Sequence, residues 1–117
     1  MRTILVLLAI TLLGLASACG SKGDTAMSSG SELFENQCSM CHAKDGSGSP
    51  LAPTLHGKKV NWTRETLLAY LVDPVGYAKK DPRLVQQGGK YSQPMPTYKM
   101  LPPAALEALT DHVLAMP

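Results

Sequence analysis

Apolar and polar residues follow three rhythms along this chain. Residues Ile4 to Leu13 form an almost continuous apolar run, and residues 20–30 are small and polar. From residue 31 onward the apolar positions recur at helical intervals. Leu67 and Leu71, like Leu68 and Val72, stand one helical turn apart, and Leu106, Leu109, Val113 and Met116 form the stripe of a helix packed on one face. Ser31 is placed to cap a first helix carrying Glu32, Leu33, Phe34 and Glu35, with its acids in the turn where the helix dipole favours them, and this helix delivers Cys38. Thr63 is placed to cap a second helix through Val72, which Asp73-Pro74 stops. A third begins near Pro102 and Pro103, because proline suits the first helical position. Lys44 to His56, rich in Gly, Ser and Pro, reads as loop, no strand pattern competes, and Tyr77 to Tyr91 has no assignable pattern.

The apolar run at the start is well short of the roughly 20 residues needed to span a bilayer, and it ends in Gly14, Ala16, Ser17 and Ala18. Residues 1–18 therefore read as an export signal rather than a membrane span. Leu15-Ala16-Ser17-Ala18 ahead of Cys19 resembles the bacterial lipobox, which implies lipidation of Cys19, with residues 19–30 as a flexible tether and residues 31–117 as the folded domain. Ala16-Ser17-Ala18 would also serve an ordinary signal peptidase. Gly20 after Cys19 points, by the same analogy, to the outer membrane, and the expected location is the periplasmic side of a bacterial membrane. Export places the thiols in an oxidising compartment, where neighbouring cysteines need pairing, metal or covalent modification.

The 117 residues hold one domain at most. Only 5% are aromatic, few for filling even one core. A charge of +2 without clustered Lys and Arg argues against a nucleic-acid partner. Three cysteines leave one unpaired in any disulfide scheme.

Cys38-Ser39-Met40-Cys41-His42 accounts for the pair. Two thiols three positions apart can reach the two vinyl groups on one porphyrin edge from a single helical turn, and the following histidine then lies beneath the ring as an iron ligand. A covalent porphyrin also supplies the missing apolar bulk. A zinc site would need two further ligands, but His56 and His112 are too far apart to form the second half of a finger. A thioredoxin-like dithiol expects a βαβ setting, and a plain Cys38–Cys41 disulfide leaves His42 unexplained. Candidates for the sixth iron ligand are Met95, Met100, His56 and His112. The prolines around Met95 in Gln93-Pro94-Met95-Pro96 forbid helix and favour a stiff extended loop able to lie across a haem face, whereas Met100 beside a helix start suits core filling. This favours Met95.

With these features in place, residues 30–117 resemble the class I c-type cytochromes, small monohaem electron carriers. Ala52-Pro53-Thr54-Leu55-His56-Gly57 is similar to the family's Gly-Pro-x-Leu-x-Gly loop. That likeness implies that the Pro53 carbonyl accepts a hydrogen bond from the His42 ring. The segment from Trp62 through Leu67, Tyr70 and Leu71 to Pro74 looks like the family helix in which the Trp bonds a haem propionate and the Tyr lies near the ligand sulfur. Met95-Pro96-Thr97-Tyr98 resembles the bacterial Met-Pro-x-aromatic segment and implies Met95 as distal ligand, with His56 and His112 as bystanders.

The resemblance implies an all-α fold of short helices and loops wrapped around one covalent haem c, with the first and last helices packed together so that Phe34 lies near Leu109 and Val113. It implies an electron carrier rather than an enzyme, a monomer serving respiratory redox partners. Residues 58–99 hold a surplus of five positive charges, which could steer an acidic partner surface. Two other functions fit the same motif. One is an open-site haem protein that binds small ligands or reduces peroxide; the other is a haem subunit of a larger membrane redox complex.

Overall fold

A computed structural model describes residues 28–117. The expected signal segment, Cys19 and most of the expected tether lie outside the described residues. Within them run helices α1 (Gly30–Gln37), α2 (Ser39–His42), α3 (Arg64–Val72), α4 (Pro74–Ala78), α5 (Pro82–Gln87) and α6 (Pro103–Leu114), with a 3-10 turn over Lys58–Val60. No strand forms among the described residues; Ser49 and Ala52 make an isolated antiparallel bridge. No described helix is long and apolar enough to cross a membrane.

The cap of α1 differs from expectation. Ser29, not Ser31, caps it: the Ser29 hydroxyl accepts the Glu32 N–H at 3.2 Å, and the Glu32 carboxylate accepts the Ser29 N–H at 2.8 Å. The reciprocal box needs a side-chain acceptor three residues after the cap, which Ser29 has in Glu32, whereas Ser31 has Phe34 there. Gly30, expected as the end of the tether, is thus the first helical residue. It is also where α1 meets α6, since a Cβ at Gly30 would collide with the Ala108 carbonyl oxygen.

α1 and α3 both pack on α6. Their buried faces bring Leu33 and Phe34, Leu67 and Leu71, and Leu106, Leu109 and Val113 into one core. His112 sits against Phe34, ring centroids 5.4 Å apart, which is packing rather than ligation. The helix from Thr63 forms as expected, with the Thr63 hydroxyl accepting the Thr66 N–H at 3.2 Å. Asp73 ends it and at once caps α4, accepting the Gly76 N–H at 3.0 Å with Pro74 in the first helical turn. Asp81 and Pro82 repeat the device for α5, inside the stretch from Tyr77 to Tyr91 that the hydrophobic pattern leaves unassigned.

The loop after α2 turns back on the site. Its fold depends on Gly48 at φ 89°, where a Cβ would meet the Thr54 nitrogen at 2.6 Å. The Gly48 N–H donates to the His42 carbonyl at 2.8 Å, the Leu55 N–H to the Gly46 carbonyl at 2.7 Å, and the Ser49 hydroxyl to the Cys41 carbonyl at 2.6 Å.

Candidate cofactor site

The turn between α1 and α2 sets the chemistry. The Cys38 carbonyl accepts from the N–H of both Cys41 (3.1 Å) and His42 (2.9 Å), so one helical turn carries both thiols and the imidazole. Both cysteines are free, Cys38 buried and Cys41 partly so. Burial pushes the Cys38 thiol up to about 11 against the opposing pull of the Tyr98 hydroxyl, so it stays protonated at neutral pH.

His42 is buried, and its Nδ1 donates to the Pro53 carbonyl at 2.8 Å. That bond leaves the Nε2 lone pair available. Burial holds the imidazole below its ordinary pKa, the Pro53 bond opposes this, and the Lys58 charge adds to it, so the ring is neutral and ready to bind metal at physiological pH.

A cavity of about 520 Å³ opens beside this turn, a size that suits a cofactor. Cys38, Cys41, His42, Pro53, Trp62, Tyr70 and Met95, all seven site residues expected in the folded domain, border it. Met100 does not, and is 86% exposed. His56 and His112 are likewise absent from its wall; a His56 ring nitrogen bonds the Asp45 carbonyl at 2.7 Å.

The Met95 segment forms neither helix nor strand and is tied down at its C-terminal side. The Thr97 hydroxyl donates to the Val72 carbonyl at 2.6 Å, and the Tyr98 N–H donates to the Leu71 carbonyl at 2.9 Å. The buried Tyr98 hydroxyl crosses to the Gln37 carbonyl at 3.0 Å, next to Cys38. Tyr98 thus joins the end of α1, the end of α3 and the Met95 loop, a role not read from its place in the Met-Pro-x-aromatic segment.

Trp62 lies in an aromatic cluster, its ring 5.2 Å from Tyr70 and 5.7 Å from Tyr77, with the Arg83 guanidinium 5.1 Å over the indole. Residues of α5 and the segment after it, among them Leu84, Gln87 and Tyr91, close another part of the cavity wall. Their contribution had no sequence signal beyond Asp81-Pro82, because the wall is made by a long return of the chain and not by local periodicity.

The donor set fits a haem of the c type. Two free thiols one turn apart, a buried neutral imidazole with Nε2 unengaged, and a thioether bordering the same mainly apolar cavity are what a covalent haem requires. Zinc is a poorer match: no group of three or more His, Cys, Asp or Glu able to hold a metal ion occurs among the described residues.

Comparison with known proteins agrees. The cytochrome c family model matches residues 27–117. Cytochrome c type-1 of Ascaris suum is 35% identical over 42% of this chain and 62% of its own length. Cytochrome c 2.1 of Caenorhabditis elegans is 31% identical over 41% of this chain and 61% of its own. Cytochrome c of Nigella damascena is 32% identical, over 47% and 67% respectively. The chain thus spans about three fifths of the length of the first of these relatives. No solved structure matches it. A helical wrap, a paired thiol and imidazole turn and a family match over the whole described domain lead to one assignment: the chain belongs to the cytochrome c family, has its all-α class I fold, and takes haem c as a covalent cofactor.

Proposed function

We propose that this protein is a one-electron carrier in which Cys38 and Cys41 fasten haem c, and His42 and Met95 ligate its iron from two sides. The observation that carries the reading is the His42 imidazole, buried, neutral and oriented by Pro53, on the same cavity as both thiols and Met95. Bound haem c supplies the Fe(III)/Fe(II) couple. The Pro53 carbonyl holds the His42 proton on Nδ1 and raises the basicity of Nε2. The Met95 thioether is a soft donor that favours the ferrous state and raises the potential. By the family likeness Tyr70 lies near the Met95 sulfur, and the apolar lining limits water at the site.

Optical spectra of the purified oxidised and reduced protein test both axial ligands. A sulfur-to-iron band in the near infrared of the oxidised protein, lost in Met95→Ala, is the expected result. Its absence from the wild type, with rapid carbon monoxide binding, would identify an open-site haem protein instead.

The leader pattern supports export, lipidation at Cys19 and residence on the periplasmic side of a bacterial membrane, with respiratory redox proteins as partners. An intact mass of the mature protein carrying diacylglycerol and an acyl chain on Cys19 is expected; a mass without them would remove the anchor.

A further inference from the structure

Lys58 stands on the cavity wall without a matching anion among the described residues. It is half-buried, and none of the ion pairs among the described residues includes it. Burial and the nearby Arg83 charge both push its ammonium below the ordinary lysine pKa, the sign of a cation whose surroundings would be relieved by a negative partner. Its position is set by backbone bonds. The Lys58 carbonyl accepts the Asn61 N–H at 3.0 Å and the Trp62 N–H at 2.9 Å, which closes a tight turn with Lys58 and Trp62 both on the cavity.

Arg83 is engaged differently. Its guanidinium makes a fork to Asp81, with Nε to Oδ1 at 3.0 Å and Nη2 to Oδ2 at 2.6 Å, and Nη1 donates to the Asn61 carbonyl at 2.7 Å. Its charge is balanced by Asp81, and its face lies over Trp62. It is therefore a brace for the turn and the indole. The charged substituents of haem c are its two propionate carboxylates, on the porphyrin edge opposite the thioethers.

The geometry points to Lys58 as the residue that pairs with a haem propionate, with Arg83 as the positioning residue that fixes Trp62 beside it. This rests on the haem reading of the cavity. It adds a cationic site to the indole donor, and assigns part of its support to the α5 segment that the sequence pattern leaves without a role.

The test is a crystal structure of the haem-loaded full chain together with reduction potentials of Lys58→Gln, Lys58→Arg and Lys79→Gln. Lys79 also borders the cavity but is exposed, and serves as the control for a merely nearby charge. Expected are a propionate oxygen within about 4 Å of Lys58 Nζ, a lower potential in Lys58→Gln than in Lys79→Gln, and a potential close to wild type in Lys58→Arg. In Arg83→Lys the charge remains while the planar stack is lost, and the Trp62 indole proton exchanges faster than in wild type. Attached haem with both propionates directed away from Lys58, or Lys58→Gln matching Lys79→Gln in potential, overturns the Lys58 assignment. Unchanged indole exchange in Arg83→Lys overturns the role of Arg83. A wild-type protein that attaches no haem defeats the haem reading itself.

Discussion

Tyr98 carries three separate attachments on one residue: its amide to α3, its hydroxyl to the end of α1, and its chain position two residues after Pro96 in the Met95 loop. Tyr98→Phe keeps the ring and removes one hydrogen bond, so a loss of about 1 kcal/mol is expected, read as a lower denaturant midpoint. Gly30→Ala adds a methyl group where α1 crosses the Ala108 carbonyl and should cost about 1–3 kcal/mol, read the same way. At this scale legibility follows sequence distance. Cys38, Cys41 and His42 could be read directly because thioether attachment imposes a local spacing, and Met95 because its prolines mark the loop. Pro53, Trp62 and Tyr70 came through family likeness. The individual roles of Lys58, Arg83 and Tyr98 did not come at all, since each acts on a partner that no local pattern names.

Among the elements, α3 and α6 are joined outside their apolar seam by Arg64, which donates to Asp111 at 2.7 Å and to Glu107 at 3.2 Å. Arg64 holds the Asp111 carboxyl below its ordinary value, so the folded state binds that proton less readily than the unfolded chain. The resulting stability is present above the unfolded carboxylate value, about 3.9, and is lost as pH falls through the lowered one. Arg64→Gln should therefore lower the denaturant midpoint slightly at neutral pH, with the difference from wild type vanishing in strong acid. The effect is small because all three side chains are solvated. The long apolar stripes of α3 and α6 made those helices readable in advance. α5 was not, because none of its residues is buried: of its apolar side chains Leu84 borders the cavity and Val85 is exposed. Asp81-Pro82 repeats the Asp73-Pro74 start signal, so the cap was present without a stripe to accompany it.

For the whole molecule the cavity is the centre of the fold. Leu67, Leu71, Leu109 and Val113 belong to the core and also border it, so the polypeptide surrounds a space that its own side chains do not fill. A Cys38→Ala, Cys41→Ala double variant purified without haem should show much weaker helical circular dichroism than the wild type, because an unfilled cavity of this size leaves core residues without packing partners. Within the positively charged stretch of residues 58–99, Arg64 is held by Glu107 and Asp111 from α6 and Arg83 by Asp81, leaving lysines as the charges available to a partner. Electron transfer to an acidic partner should slow as salt is added, and a flat dependence would exclude such steering. The burial of Cys38 also sets the two thiols apart. In haem-free protein Cys38, only 6% exposed, should react with a soluble thiol reagent more slowly than the partly exposed Cys41.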